Sequence, residues 1–220
     1  MIGTTKMVRL LAVGAAIGVC AVRLGGSAAT AQEDLDARVR RFLDANQSQW
    51  RDLNVPAVDG QTLHDIVVKN KYTRALEIGT STGHSGIWIA WALSKTGGTL
   101  ITIDIDERRH RQALANFEAA GLSKFIDARL GNAHDLVPAL PGPFDFVFSD
   151  ADKDWYRNYL IAVLPKLEIG GCYATHNVSA GSRQRSGGGA YLEYLRSLPN
   201  LETTVDTRGA GMAISYKRAK

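Results

Sequence analysis

The sequence predicts an α/β protein with a doubly wound, mostly parallel sheet of seven strands. Three observations lead to this fold class. The 220 residues are 45% hydrophobic and 22% charged, which is typical of one soluble domain large enough to enclose a long sheet. Short apolar runs alternate with segments of helical periodicity, an order that favours parallel strands. The first apolar run ends in a glycine-rich turn, as strands that precede a helix often do.

The elements can be placed in order from these patterns. Two helices, Glu33–Ala45 and Gly60–Lys69, come before the alternating region. The predicted strands are Arg74–Ile78, Leu100–Ile105, Phe125–Leu130, Phe144–Phe148 and Gly171–Thr175, followed by a terminal antiparallel hairpin of Glu202–Thr207 and Gly211–Lys217. The helices between them are predicted at Ser85–Leu93, Glu107–Ala120, His134–Leu140, Trp155–Leu164 and Tyr191–Leu198. Ligands of such sheets bind at the carboxyl ends of the strands.

The first 31 residues are typical of an export signal. They contain Lys6, Arg9 and Arg23 but no acidic residue, and an apolar run Leu10–Val22 precedes the small residues 25–31. We therefore expect a signal peptide at 1–31, a catalytic domain at 32–220, and a periplasmic or secreted protein. The run is too short for a stable membrane span. An uncleaved membrane tether and a cytoplasmic leader remain as alternatives.

Charge and cysteine content argue against a nucleic-acid partner and against a disulfide. Without residues 1–31 the formal charge falls from +4 to +1, because three basic residues and no acidic ones are removed. No block of five like charges remains, so we expect no nucleic-acid partner. The leader contains Cys20, and Cys172 is then the only cysteine left, so we expect a mature chain without a disulfide.

The first strand end has the features of a phosphate or nucleoside site. Gly79 and Gly83 allow a tight turn and a close approach of the backbone to a ligand. The dinucleotide fingerprint is broken because Ser81 stands where its second glycine belongs. Asp104 ends the next strand, where a carboxylate can accept hydrogen bonds from ribose hydroxyls. Together these residues predict an adenosine-containing ligand.

The fourth and fifth strand ends bring further polar residues to the same edge. Asp150, Asp152 and Lys153 follow one strand, and His176 with Asn177 follows the other. Carboxylate, imidazole and amide groups can hold a divalent cation, and a lysine beside a cation can act as a base. A polar rim in which Asp150 caps the following helix explains the same residues equally well. Both interpretations stay open at this point.

Four stretches of the chain, taken in order, resemble a known enzyme family. They are ALEIGTSTGHSGIWIAWAL, TIDIDERRHRQALANFEAAGL, GPFDFVFSDADKDWYRNYL and PKLEIGGCYATHNV. In this order they are similar to S-adenosylmethionine-dependent O-methyltransferases of the caffeoyl-CoA and catechol O-methyltransferase type. The resemblance implies the Rossmann-like class I methyltransferase fold and S-adenosylmethionine as cofactor. It also implies a small hydroxylated acceptor, which we expect to be phenolic.

The resemblance also implies roles for individual residues. Asp104 would hold the ribose, Ala133 and His134 would border the adenine, and Lys153 would be the base that acts together with Asp150. The complete set of implied cofactor-binding residues is Glu77, Gly79, Gly83, Ser85, Asp104, Ala133, His134 and Asp150.

One position departs from the family pattern. The family's metal site uses two aspartates and an asparagine, which correspond to Asp150, position 176 and Asn177, but residue 176 is histidine. This exchange removes a hard oxygen ligand, which weakens the case for Mg²⁺ or Ca²⁺ and favours Mn²⁺, Fe²⁺ or Zn²⁺. The resemblance therefore leaves the requirement for a cation open.

The sequence as a whole predicts transfer of a methyl group from S-adenosylmethionine to a hydroxyl oxygen. Two alternatives remain. A non-catalytic S-adenosylmethionine-binding protein could tolerate His176, and a nucleotide-dependent oxidoreductase is disfavoured by Ser81. The loop Ser179–Gly189, with Arg183 and Arg185, could close over the acceptor, but a flexible solvated loop is the commoner explanation of such a segment. A homodimer is left open.

Overall fold

The computed structural model describes residues 1–2, 25–51, 53–178 and 188–219. The strands are β1 Arg74–Ile78, β2 Thr99–Asp104, β3 Ile126–Leu130, β4 Phe144–Ser149, β5 Leu167–His176, β6 Leu201–Asp206 and β7 Met212–Lys217. The helices are α1 Gly25–Ala45, α2 Ala57–Asn70, α3 His84–Thr96, α4 Glu107–Ala120, α5 Ala133–Ala139, α6 Tyr156–Val163 and α7 Gly188–Ser197.

The seven strands of this region form one sheet in the order β3-β2-β1-β4-β5-β7-β6. The first five are parallel, and β7 pairs antiparallel with both β5 and β6. The predicted fold class and the terminal hairpin are therefore confirmed. Several boundaries differ from prediction: β5 is longer at both ends, α1 begins at Gly25 rather than at Glu33, and a 3-10 turn at Lys153–Trp155 precedes α6.

The strand order reverses between β1 and β4, and this reversal positions the site. The two strands are in parallel register, with Ile78 beside Ser149. The backbone N–H of Asp150 donates to the carbonyl of Ile78 at 2.8 Å. The chains leaving the two strands then diverge, which opens a crevice at their carboxyl ends.

Successive side chains of each strand point to opposite faces of the sheet, so the sheet has an apolar layer on each face. Leu76, Ile78 and Val147 pack on the face covered by α5, α6 and α7. Ala75 and Phe146 pack on the opposite face, against α2 and α3. This period of two is expected of strands with helices on both sides. The sheet is thereby held rigidly between two apolar layers, and its carboxyl edge is a fixed platform for side chains.

Two predictions concern residues outside the described part of the chain. These are most of the predicted signal, residues 3–24, and most of the predicted acceptor loop, residues 179–187 with Arg183 and Arg185. Helix α1 begins at Gly25 and continues past the predicted cleavage site after Ala31. Within the described ranges, no helix combines the length and the apolarity needed to cross a bilayer.

Candidate active site

The turn after β1 is built on backbone conformations that glycine allows. Gly79 has φ +100° and Gly83 has φ +95°, both in the left-handed region. A Cβ atom on Gly79 would lie 2.6 Å from the backbone oxygen of Asp150, and one on Gly83 would lie 2.7 Å from the ring of Phe117. Both glycines are thus required by close packing as well as by backbone geometry.

Asp104 joins this turn to the end of β2. Its Oδ2 accepts a hydrogen bond from the backbone N–H of Ser81 at 2.6 Å, and its Oδ1 accepts one from Asp106 at 2.8 Å. Ser81 has φ +48°, so it occupies a conformation that usually favours glycine. Ser81 therefore stands in place of the second glycine of the dinucleotide fingerprint, and the Asp104 carboxylate holds its backbone N–H.

A cavity of about 380 Å³ opens at these strand ends, a size within the range of small-molecule sites. Five predicted cofactor-binding residues line it: Gly79, Asp104, Ala133, His134 and Asp150. Further lining comes from residues that the sequence did not single out for this role, including Leu53, Ile103, Ile105, Arg109, Asn132 and Tyr159. Apolar walls with a few polar groups suit an adenosine-containing ligand.

His134 is fixed at the rim of this cavity by two contacts. Its ring stacks on Trp155 with centroids 3.7 Å apart, and its Nε2 lies 3.2 Å from Oδ2 of Asp152. Asp152 also caps the following 3-10 turn by accepting from the N–H of Asp154. The proposed helix cap at Asp150 is therefore wrong, because Asp152 fills that position.

Three predicted cofactor-binding residues, Glu77, Gly83 and Ser85, do not line the cavity. Glu77 is fully buried in β1, where the hydroxyl of Thr102 donates to its Oε2 at 2.6 Å. Burial raises the pKa of the Glu77 carboxyl to about 8, although the hydroxyls of Ser85 and Thr102 act in the opposite direction. Burial therefore favours the protonated form of Glu77. The roles of these three residues stay predictions.

A larger hollow of about 780 Å³ lies elsewhere, between the helices that precede β2. Trp50, His84, Trp88 and Trp91 contribute to its wall. None of the predicted strand-end residues lines this hollow. The Nδ1 of His84 already has a hydrogen-bond partner, since it lies 2.9 Å from the carbonyl oxygen of Val55. We therefore assign the site to the smaller cavity.

Lys153 and Asn177 meet beside the cofactor cavity. The Nζ of Lys153 donates to Oδ1 of Asn177 at 2.6 Å and lies 3.6 Å from Oδ1 of Asp150. Asn177 has φ +56°, a left-handed conformation that asparagine adopts more readily than most residues. The tyrosine hydroxyl of Tyr156 donates to the carbonyl of His176 at 3.1 Å. The predicted base is therefore held at the end of β5.

His176 lies between two carboxylates. Its Nε2 is 2.9 Å from Oδ2 of Asp59, and its Nδ1 is 3.0 Å from Oδ2 of Asp150. Burial by itself lowers the pKa of an imidazole, but here the contacts with Asp150 and Asp59 outweigh burial and raise the pKa of His176 to about 9. The two carboxylates therefore favour the protonated form of the ring.

Some donor atoms of the residues predicted to hold a divalent cation already have partners, whereas the Nδ1 of His176 has no hydrogen-bond partner within the described residues. Asp150, His176 and Asn177 are close together, but the ring nitrogens of His176 face carboxylates and Asn177 accepts from Lys153. In the described part of the chain, no group of three or more His, Cys, Asp or Glu side chains is arranged to hold a metal ion. The cation site at Asp150, His176 and Asn177 therefore stays a prediction.

Asp59 is another site residue that sequence reasoning missed. It lies in the first turn of α2 and is fully buried. A signal was available, because Asp59 shares the helical spacing of Leu63, Ile66 and Val67 on the buried face of α2. An acidic residue in an apolar stripe indicates a buried partner, although the pattern does not identify that partner.

Comparison with known proteins gives a consistent result. The family model described as O-methyltransferase matches residues 27–182. A catechol O-methyltransferase from Niastella koreensis is 44% identical over 88 residues, 38% of this chain and 39% of that protein. Caffeoyl-CoA O-methyltransferase 1 from Zea mays is 34% identical over 134 residues, 58% of this chain and 52% of that protein. The matched segments thus span about half or less of these two relatives.

A solved structure supports the same fold. An O-methyltransferase from Bacillus cereus, determined in complex with SAH, has a TM-score of 0.70 and 26% sequence identity. The alignment covers 83% of this chain and 91% of that one.

Proposed function

Since the chain belongs to the O-methyltransferase family, we propose that it transfers a methyl group from S-adenosylmethionine to a hydroxyl oxygen of a small phenolic acceptor of the catechol type. Membership of this family argues against the two alternatives, a non-catalytic S-adenosylmethionine-binding protein and a nucleotide-dependent oxidoreductase. The names of the two curated relatives support an aromatic hydroxyl as the acceptor group.

The observation that carries this proposal is the position of Asp150. It borders the cofactor cavity on one side, and on the other its carboxylate lies 3.6 Å from the Nζ of Lys153. A cofactor in the cavity and an acceptor beside Lys153 would therefore meet at Asp150. Such an arrangement favours catalysis by proximity and alignment.

The residues of the cavity suit S-adenosylmethionine. The carboxylate of Asp104 is oriented by two backbone N–H groups and keeps lone pairs free for ribose hydroxyls. Ala133 and His134 form an apolar and aromatic border suited to adenine, and Gly79 lets the backbone approach the ligand closely. When bound, S-adenosylmethionine supplies a methyl group on a sulfonium sulfur, which becomes a neutral thioether as the methyl group leaves.

A side chain of the protein accepts the proton of the acceptor hydroxyl. The Nζ of Lys153 takes the hydroxyl proton while the oxygen forms its bond to the methyl carbon. Asn177 orients that amine through the 2.6 Å contact.

The test is a methyl-transfer screen combined with one substitution. The purified chain is incubated with S-adenosylmethionine and with catechols, hydroxycinnamates or their thioesters. Lys153→Met should lower kcat by about 100-fold or more, the usual contribution of a general base, while S-adenosylhomocysteine binding by calorimetry stays within about twofold. Lys124→Met, at an exposed lysine outside the cavity, is the matched control. Tight cofactor binding without turnover of any acceptor would instead support the non-catalytic alternative.

Export of the chain is a separate proposal. It depends on the basic and apolar composition of residues 1–31 and on the small residues Ala29 and Ala31 before Gln32. Mass analysis of the native protein should find an N-terminus at Gln32, and a chain that still begins at Met1 would refute cleavage. Size-exclusion chromatography of the same sample decides whether the protein is a homodimer.

A further inference from the structure

We propose that Asp59 is a positioning residue for a divalent-cation site: its carboxylate holds Nε2 of His176, which leaves Nδ1 of the same ring to bind the cation together with Asp150. Such a site favours a first-row transition cation over Ca²⁺. The inference rests on the proposed function only in its purpose, because the cation would lie beside the cofactor cavity that Asp150 lines. Its tests measure metal binding and need no acceptor.

The contact between Asp59 and His176 determines which ring nitrogen carries hydrogen. The Nε2 of His176 lies 2.9 Å from Oδ2 of Asp59 in a hydrogen bond between two almost completely buried side chains. A carboxylate only accepts hydrogen bonds, so Nε2 is the donor. In the neutral ring the lone pair therefore lies on Nδ1. A cation that binds there displaces the second proton of the protonated ring.

The Nδ1 of His176 is available for a ligand. It is buried and has no hydrogen-bond partner within the described residues, which is rare for a polar atom in a folded protein. It lies 3.0 Å from Oδ2 of Asp150, but this contact does not have the geometry of a hydrogen bond. Two neighbouring ligands of a six-coordinate cation are also about 3 Å apart when each bond is about 2.1 Å long. The spacing of Nδ1 and Oδ2 therefore suits two ligands of one cation.

Asn177 can supply a third ligand atom. Its Oδ1 accepts from the Nζ of Lys153 at 2.6 Å, but an amide oxygen has two lone pairs, so one remains. Lys153 also lies 3.6 Å from Oδ1 of Asp150, the carboxylate oxygen that does not face His176. One imidazole nitrogen with carboxylate and amide oxygens suits Mn²⁺, Fe²⁺ or Zn²⁺, whereas Ca²⁺ takes oxygen ligands. When bound, such a cation supplies positive charge near the acceptor oxygen.

Packing holds Asp59 in the orientation that this role requires. The side chain is fully buried, and its Oδ2 also accepts from the backbone N–H of Ala210 at 3.0 Å. A Cβ atom on Gly209 would lie 1.9 Å from Oδ1 of Asp59, so the backbone packs directly on the carboxylate. A carboxylate held in this way fixes the plane of the His176 ring, as carboxylates that accept from metal-bound histidines do.

Nitrogen NMR of the histidine rings tests which atom binds. The chain with ¹⁵N-labelled histidine is titrated with Zn²⁺, and His176→Gln identifies the signals of His176 among those of the five histidines. We expect Zn²⁺ to shift the Nδ1 signal of His176 to that of a metal-bound nitrogen while Nε2 keeps its hydrogen, and Ca²⁺ to shift neither. Zn²⁺ bound through Nε2 would overturn the inference, as would no change at His176 up to about 1 mM Zn²⁺.

Zn²⁺ affinity, measured by calorimetry, tests the role of Asp59. Asp59→Asn should weaken binding by about 10–100-fold, the usual loss when the partner of a metal-bound histidine is changed. Asp65→Asn, at an exposed position of the same helix, is the matched control and should bind Zn²⁺ as the wild type does. A folded Asp59→Asn with unchanged affinity would refute the positioning role and leave Asp59 a purely stabilising residue. If Asp59→Asn does not fold, the NMR titration of the wild type still decides which nitrogen binds.

Failure of the proposed function would give a different result. Zn²⁺ bound at Nδ1 of His176 without turnover of any acceptor would refute methyl transfer and support the cation site. Turnover that a chelator does not change, in a chain whose His176 signals do not respond to Zn²⁺, would refute the cation site and support methyl transfer.

Discussion

The imidazole of His176 connects Asp59 to the active site across 117 positions of the sequence, with its Nε2 2.9 Å from Oδ2 of Asp59. Both side chains are almost completely buried, so this is an ion pair in a low dielectric rather than a surface contact. The pair anchors the end of β5 to the first turn of α2. Stability and site geometry are therefore coupled through these two residues.

Asp59→Asn tests this coupling. Removing one partner of a buried ion pair leaves the other uncompensated, so we expect the free energy of unfolding to fall by about 3 kcal/mol. Urea denaturation followed by circular dichroism measures the change. The control is Asp65→Asn on the same helix, where the side chain is 64% exposed and the expected change is within about 0.5 kcal/mol. Equal losses for both variants would contradict the ion pair.

Gly79→Ala tests the close approach of β1 to β4. In the variant, alanine must adopt a left-handed backbone conformation, which lowers stability. Its Cβ atom would also lie 2.6 Å from the backbone oxygen of Asp150. Gly97→Ala is the matched control, since Gly97 has φ +79° with open space around it, and should cost about 1 kcal/mol. We expect Gly79→Ala to cost about 3 kcal/mol and to weaken S-adenosylhomocysteine binding, which Gly97→Ala should leave intact. A similar loss of stability in both variants would mean that the backbone conformation alone, and not the contact with Asp150, requires glycine at position 79.

Asp104→Asn tests the cofactor cavity. The carboxylate accepts two backbone hydrogen bonds and faces the cavity, and charged hydrogen bonds contribute about 1.5–3 kcal/mol. S-adenosylhomocysteine affinity measured by calorimetry should therefore fall by about 10–100-fold. Asp127→Asn, on neighbouring β3 and outside the cavity, should bind as the wild type does. Unchanged affinity in Asp104→Asn would remove Asp104 from the binding site.

Glu77 should make stability depend on pH. Its pKa is raised from 4.5 to about 8 by burial, so below pH 4.5 the carboxyl is protonated in both the folded and the unfolded chain. As the pH rises towards 8, only the unfolded chain releases the proton, and the folded state loses stability, by at most a few kcal/mol.

The variant Glu77→Gln cannot titrate at this position. Its free energy of unfolding, relative to the wild type, should therefore increase between pH 5 and 8. Urea denaturation at several pH values measures this difference, and Glu118→Gln at an exposed position is the control. A difference that stays constant with pH would show that Glu77 is ionised in the folded protein.

Local pattern was sufficient for most of the architecture. The bounds of β1 and α4 agree residue for residue with prediction, because an apolar run before a glycine turn and a helix ending at Gly121 are properties of neighbouring residues. The longer β5 was less predictable. Its first residues are largely exposed, and pairing with β4 and β7 rather than hydropathy extends it to His176.

The sequence by itself determined the order of the elements, the sheet and the strand ends at which Asp104, Asp150 and Lys153 would lie. Those features follow from periodicity and from the rule that parallel strands end at one edge. Only the tertiary structure decided that Asp59 reaches His176 and that Glu77 is buried without lining the cavity. Charge and burial at these positions depend on segments far apart in the chain, and their distances are set only when the sheet and α2 pack together.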